Sequence, residues 1–348
     1  MSNETQTSHP VEAKAAGDSN ILLEVEDLVR YFDVSPPFLN RVIERTGKIY
    51  VKAVDGVSFK ISRGETFSLV GESGCGKSTI GHLLVGLYSP TRGKIQFDGI
   101  ELAAESDRRK HLNIQRRMQM IFQDPYASLN PRWRVSKIIA EPIRAHDNHG
   151  SRRDIESRAN ELLLQVGLAP QDGEKYPHEF SGGQRQRISI ARALAGQPEF
   201  IVCDEPTSAL DVSVQAQILN LMKNLQRQHG LTYLFISHDP AVVYHISTTL
   251  GVMYLGRLVE WAKTRTLFGS PRHPYTRMLL DAIPDLSMTT RRRTPVAGEV
   301  PSPINPPSGC TFHPRCPFAR DLCARQRPEL IHRNATHVAC YAVEEGRI

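Results

Sequence analysis

The sequence predicts an α/β fold built on a mostly parallel sheet. Three observations predict it. Short apolar runs of strand type alternate with stretches of helical periodicity. One strand run, Glu65–Val70, passes through a Gly-rich turn directly into a helical run, Ile80–Leu87. Another, Phe200–Cys203, ends on two acids and is followed by a long amphipathic stretch, Val212–Gln228. The length of 348 residues suits one large or two modest domains, and 40% hydrophobic with 23% charged residues is the balance of an ordinary globular chain.

In chain order, residues 1–20 are polar, carry Glu4, Glu12 and Asp18, and lack the basic start and apolar centre of a signal peptide. They are expected to be a disordered lead. A strand begins at Ile21–Val25, Ser35-Pro36-Pro37 breaks it, and a second strand region covers Tyr50–Ile61. Residues 93–102 alternate around Asp98-Gly99, which predicts a hairpin. Met118–Phe122 is a strand ending at Gln123, and residues 126–180 turn helical, with helices over Ile138–Ile143 and Arg153–Val166. Ser181 opens a further helix. Tyr233–Ile236 is a strand that runs into Ser237-His238-Asp239, and Thr249–Tyr254 with Leu258–Glu260 forms a closing hairpin around Gly256. Past residue 265 prolines become frequent and Arg291-Arg292-Arg293 forms a basic run, so a small second domain is expected at 266–348. No run approaches the roughly 18 apolar residues of a membrane span. A cytosolic chain is expected, with its six cysteines as metal ligands or buried thiols. The net charge of +6 comes without an aromatic-interleaved basic stripe, so no direct nucleic-acid contact is expected.

The Gly-rich turn is Gly71-Glu72-Ser73-Gly74-Cys75-Gly76-Lys77-Ser78-Thr79, a G-x-x-x-x-G-K-S-T phosphate loop in the strand–turn–helix context it requires. Its glycines let backbone N–H groups converge on phosphate oxygens, and the helix start adds its dipole. Lys77 reaches the β- and γ-phosphates, and the Ser78 hydroxyl ligates Mg²⁺. Asp204, at the end of the buried strand, is placed to hold Mg²⁺ through water, and Glu205 to polarise a water aimed at the γ-phosphate. Ser181-Gly182-Gly183-Gln184 reads as an N-capped helix start. A double glycine is costly in a first turn, so close backbone approach to a ligand is expected there.

The phosphate loop, the Ser181-Gly182-Gly183-Gln184-Arg185-Gln186 stretch, Asp204-Glu205, Ser208-Ala209-Leu210-Asp211 and His238 stand in the order and spacing of ABC-type ATPases. The chain resembles that family over about residues 21–265. The resemblance implies a RecA-like sheet with an antiparallel β-subdomain and a helical subdomain at about 124–190, and ATP with Mg²⁺ as cofactors. It implies that Gln123 senses Mg²⁺ and the attacking water, that His238 contacts the γ-phosphate, and that Asp211 lies on the loop crossing between two subunits. The adenine would stack on an aromatic near the first strand. Phe32 fits by its spacing from Leu28, with Tyr31 as second choice. ATP would sit between two head-to-tail subunits, the phosphate loop of one facing the Ser-Gly-Gly-Gln of the other.

Phe122–Arg132, Ser208–Gln217 and Arg272-His273-Pro274-Tyr275-Thr276 resemble more narrowly the second ATPase subunit of dipeptide and oligopeptide importers. Pro240 departs from that branch, which usually has an apolar residue after Ser-His-Asp. The branch implies two membrane permeases docking beside Asp124–Arg132, a related second ATPase in a heterodimer, an extracytoplasmic peptide-binding protein, and a peripheral place on the inner face of a bacterial cytoplasmic membrane. The same engine could import nickel or another small solute, and a soluble ABC ATPase acting on nucleic acid is the reading from another class. Cys310, Cys316, Cys323 and Cys340 cluster within 31 residues of Pro-rich sequence, which favours a cross-link through Zn²⁺ or an iron–sulfur cluster. Their pattern resembles that of branch members carrying a [4Fe–4S] cluster, with His313 and His337 as possible substitute ligands. Cys75 and Cys203 stand apart, as isolated thiols.

Overall fold

Alternating apolar runs separated by tight turns give two sheets. The computed structural model describes residues 20–37, 40–41, 47–102, 108–146, 151–281 and 298–348. β1 (Ile21–Asp33) pairs antiparallel with β2 (Tyr50–Ser62) and with β4 (Arg92–Phe97), which returns as β5 (Ile100–Glu101). The turn residues Asp98 and Gly99 both have positive φ, 53° and 76°, the conformation that a two-residue hairpin needs. β1 begins at Ile21 and ends at Asp33, just before the expected break at Ser35-Pro36-Pro37, and it has a partner on each side.

The larger sheet has β9 (Thr249–Tyr254), β3 (Thr66–Val70), β8 (Thr232–Ile236), β7 (Phe200–Asp204) and β6 (Met118–Ile121) side by side and parallel. Every residue of β3, β7, β8 and β9 is buried, which is why these strands read as continuous apolar runs rather than alternating ones. The hairpin at Gly256 adds β10 (Arg257–Lys263) antiparallel to β9. The sheet then continues into the last part of the chain: β12 (Thr336–Val338) pairs with β10, and β11 (Ile331–Arg333) with β12.

α1 (Lys77–Leu84) follows the phosphate loop, and its Ile80, Leu83 and Leu84 lie between the two sheets with Leu23, Phe59, Phe67 and Phe200. α2 (Arg108–Arg117) precedes β6. The sequence hid it because its ten residues include five cations and only two aliphatics. On the other face, α3 (Pro125–Ser128), α4 (Val135–His146), α5 (Arg152–Gln165) and α6 (Gly182–Leu194) form a helical lobe. Its Ile139, Leu162, Val166 and Ile188 join one core with Cys203, Phe235 and the Leu219 and Met222 of α7 (Val212–His229). α8 (Pro240–Ile246) follows β8.

Beyond residue 263, α9 (Thr264–Gly269) and α10 (Pro274–Asp281) pack onto the sheet. Tyr275 and Phe312, both 1% exposed, share a core with Val70, Leu250, Val252 and Tyr254. Fully burying such rings contributes roughly 1.5–3 kcal/mol each, so this region draws apolar cover from the sheet itself. The 1–19 part of the polar lead and Arg291-Arg292-Arg293 lie outside the described residues. Among the described residues no helix is long and apolar enough to cross a membrane.

Candidate nucleotide site at the strand ends

The site is assembled at the C-terminal ends of parallel strands, the place where open α/β sheets leave a crevice. The phosphate loop leaves β3 and ends at Gly76, which caps α1 in a left-handed conformation, φ 103°. A Cβ there would lie 2.1 Å from the Ala53 carbonyl oxygen, so β2 presses directly on the loop. The α1 start has no side-chain cap, leaving its first N–H groups to the loop. Lys77, 5% exposed, folds back over the loop and donates from Nζ to the carbonyls of Gly71 (2.8 Å) and Glu72 (3.1 Å). Its charge and a helix N-terminus together make an anion cradle. Ser73, Gly74 and Thr79 belong to the same loop and first turn. Cys75 is buried, with its Sγ 3.7 Å from Lys77 Nζ.

The acids arrive on β7. Ser78 Oγ donates to Asp204 Oδ1 at 2.9 Å, across 126 positions of sequence. Burial pushes the Asp204 carboxyl up, and the Ser78 hydroxyl opposes that shift. A buried carboxylate beside a hydroxyl is a set of hard oxygen donors, the kind a small divalent cation takes. Glu205 leaves the strand with φ 45°, its N–H donating to the Ile236 carbonyl at 3.0 Å. That turn aims its carboxylate at two groups. Gln123 Nε2 donates to Oε2 at 3.2 Å, and His238 Nδ1 lies 3.0 Å from the same oxygen. Residues from the ends of β6, β7 and β8 thus meet on one carboxylate.

Pro240 does not disturb this. It is the first residue of α8, where its missing N–H is no loss, and Asp239 Oδ1 caps the helix by accepting from the Ala241 N–H at 2.8 Å.

Phe32 and Tyr31 register with Val51 and Lys52 on β2, next to the Ala53 that abuts the loop. The two differ. The Tyr31 hydroxyl donates to Asp55 at 2.6 Å, and burial with that hydrogen bond pushes it up to about 12. Phe32 has no such tie; its ring meets Tyr88 edge-on at 5.3 Å and the Arg30 guanidinium at 4.6 Å.

Ser181, Gly182, Gly183 and Gln184 begin α6, away from these contacts. The cap is reciprocal: Ser181 Oγ accepts from the Gln184 N–H at 3.3 Å, and Gln184 Oε1 from the Ser181 N–H at 3.0 Å. The double glycine was expected to mark close approach of a ligand. Within the chain, a Cβ at Gly183 would lie 2.5 Å from Val214 Cγ1, and at Gly182 the nearest atom is on Leu210. Asp211 caps α7, accepting from the Val214 N–H at 3.0 Å. The two helix starts therefore pack on each other.

Cys310, Cys316, Cys323 and Cys340 are free thiols, and all four line one small pocket walled by Phe312, Phe318 and Tyr341. Burial pushes Cys310 up to about 11 and raises Cys316 and Cys340 as well. By chemistry, four soft thiols lining one apolar-walled pocket are the donor type of a thiolate-held group. Among the described residues, however, no three His, Cys, Asp or Glu stand close enough to hold a metal ion. His313 lines the same pocket with Nδ1 2.9 Å from the Cys310 carbonyl, while His337 stacks on Trp261 at 4.0 Å. Cys203 is buried in β7.

Two tail residues that reach the phosphate loop escaped sequence reasoning: Tyr275 and Arg315, both in contact with Glu72. Their only signal was position, Tyr275 within the His-Pro-Tyr stretch and Arg315 immediately before Cys316.

The chain is similar to known proteins over most of its length. Residues 54–208 match the model of the ABC transporter family, and residues 259–323 that of the oligopeptide/dipeptide transporter C-terminal region. The oligopeptide transport ATP-binding protein AppF of Bacillus subtilis strain 168 is 48% identical over 330 residues, covering 94% of this chain and 98% of that one. The oligopeptide transport ATP-binding protein OppF of Salmonella typhimurium is 46% identical over 335 residues, covering 93% and 97%. The dimeric, post-hydrolysis structure of the ATP-binding cassette MJ0796 bound to ADP and Pi superposes with a TM-score of 0.61 at 27% identity, over 70% of this chain and 99% of that one. The chain belongs to the ABC transporter family, among its oligopeptide and dipeptide transport ATP-binding proteins.

Proposed function

We propose that this protein is the Mg²⁺-dependent ATPase subunit that powers an importer of dipeptides or oligopeptides. One observation carries the reading: Gln123, Glu205 and His238 converge on one carboxylate oxygen, beside the Ser78–Asp204 pair and the Lys77 loop. In this reading the loop from Gly71 to Thr79 cradles the phosphates, and Lys77 turns from its own loop carbonyls to the β- and γ-oxygens. Ser78, Gln123 and Asp204 would hold Mg²⁺, Asp204 through water. Glu205 takes the proton of the attacking water, and His238 steadies both that carboxylate and the γ-phosphate. Phe32 stacks on adenine; Tyr31 is the weaker candidate, because its hydroxyl is committed to Asp55.

Ser181–Gln184 and Asp211 serve the site of a second ATPase in a head-to-tail heterodimer, which closes on ATP and reopens after hydrolysis. Two membrane permeases dock beside Asp124–Arg132 on the cytoplasmic face of the membrane, and an extracytoplasmic binding protein delivers the peptide. Residues 21–265 form the ATPase domain and 266–348 a C-terminal module. Cys310, Cys316, Cys323 and Cys340 would hold a [4Fe–4S] cluster, or Zn²⁺ in its place, which would supply a cross-link for the Pro-rich tail. What supports it is that all four thiols line one pocket.

The test is reconstitution with two membrane permeases and a peptide-binding protein of the same organism. Mg-ATP turnover stimulated by a peptide-loaded binding protein is expected. Stimulation by nickel or another small solute, with none by peptides, would refute the substrate class. A fully active homodimer without membrane subunits would refute the importer reading.

A further inference from the structure

We propose that the C-terminal region braces the phosphate loop, with Arg315 and Tyr275 as positioning residues that hold Glu72 and thereby set nucleotide affinity. The proposal rests on the reading of Gly71–Thr79 as the nucleotide site. Each polar group of Glu72 has a partner. Its N–H donates to Tyr275 Oη at 3.0 Å, its carbonyl accepts from Lys77 Nζ at 3.1 Å, and its carboxylate takes two hydrogen bonds from Arg315, at 2.9 and 3.0 Å. Two of these partners come from the tail, more than 200 positions away. The third is the phosphate-reaching lysine.

The brace is built rather than incidental. The Arg315 side chain is 4% exposed and that of Glu72 27%, so the two-pronged pair is largely shielded on the guanidinium side and less screened by salt than a surface pair. Tyr254 Oη accepts from the same guanidinium at 3.3 Å. The rings of Tyr254, Tyr275 and Phe312 stand 4.7–5.4 Å apart and box it in. Tyr254 ends β9, whose preceding residue, Met253, presents its carbonyl to Gly71. The short turn His313–Arg315 delivers the guanidinium and runs straight into Cys316, so the loop and the thiol pocket share one rigid turn. A Gly-rich loop has many backbone states. Fixing Glu72 from outside removes most of them before the nucleotide arrives, and binding is tighter when that ordering is already done.

The experiment measures Mg-ATP affinity with a fluorescent ATP analogue, and KM and kcat in the assembled transporter. Arg315→Met should weaken binding about tenfold or more, because it strands a partly buried carboxylate in the loop and frees it to move. Tyr275→Phe, losing one hydrogen bond, should weaken it roughly two- to tenfold. Both effects should appear in KM with kcat little changed, and Arg315→Lys should restore part of the loss. The Arg315→Met/Glu72→Gln double variant should bind no worse than the weaker single one, as for two members of one contact. Parent-like affinity in a folded Arg315→Met overturns the proposal. If that variant does not fold, Tyr275→Phe and Glu72→Gln decide, and parent-like affinity in both overturns it. A parent chain that binds no Mg-ATP would instead bring down the reading of the loop itself.

Discussion

Gly81→Ala sets two physical effects against each other. Gly81 is inside α1, where alanine should add about 1 kcal/mol of helix propensity. But α1 lies so close to the sheet that a Cβ would stand 2.9 Å from Val202 Cγ1 and 3.2 Å from Ile236 Cδ1, on β7 and β8. Val202 and Ile236 are fully buried and have nowhere to go. Overpacking of this kind costs about 1–3 kcal/mol, so the clash should win and the net loss should be about 1 kcal/mol. Pushing α1 off the sheet also moves Lys77 and Ser78 at its start, so Mg-ATP affinity should fall with stability. Val202→Ala alone should cost roughly 2 kcal/mol through a cavity. The double variant should recover part of that loss, since the alanine methyl then fills the space. Urea denaturation and ATP-analogue titration read both quantities. A Gly81→Ala protein stabilised by about 1 kcal/mol, with parent affinity, would mean that propensity alone governs and that the tight α1–sheet contact is not real.

Other expectations follow from single contacts. Gly183→Ala should destabilise the junction of α6 and α7, because Val214 occupies the space, and a melting temperature equal to the parent's would contradict that. Pro240→Val should leave ATP turnover within about twofold of the parent, since the proline already fits the first turn of α8; a large loss would show that it shapes the His238 loop. Asp98 and Glu199 are held below their ordinary values, first by hydrogen bonds from Arg117 and then by the neighbouring charges. Stability from lowered carboxylates is present at neutral pH and is lost as pH falls through about 4 and below, so Arg117→Met should lower the urea midpoint at pH 7 and make little difference near pH 2. Equal effects at both pH values would refute the assignment. Anaerobic purification should yield a brown protein with roughly four irons per chain. Zinc would keep the site and change the metal, and four freely reactive native thiols would remove it.

The parts of the fold set by local chemistry were legible. The phosphate loop, the Asp98-Gly99 turn and the Ser181 cap depend on residues a few positions apart, and buried parallel strands announce themselves as unbroken apolar runs. What depended on distant partners was not. The packing of Gly183 against Val214, 31 positions on, leaves no local signature. The attachment of β12 to β10 joins short strands more than 70 positions apart and has no local signature. Polar α2 lacks an apolar stripe to betray it. At the site, the type and order of Gln123, Glu205 and His238 suggested that they act together, but that they share one oxygen of Glu205 appears only in three dimensions. The hold of Arg315 and Tyr275 on Glu72 was invisible because the tail reads as a separate, Pro-rich segment.

The most direct test of the central claim is single-turnover ATP hydrolysis by Glu205→Gln in the assembled transporter. The amide keeps the shape of the side chain but cannot take a proton from water. The variant should bind Mg-ATP as the parent does, stall in the closed state, and hydrolyse at least about a hundredfold more slowly. Hydrolysis at the parent rate would contradict the account, because the carboxylate on which Gln123 and His238 converge would then not be the base.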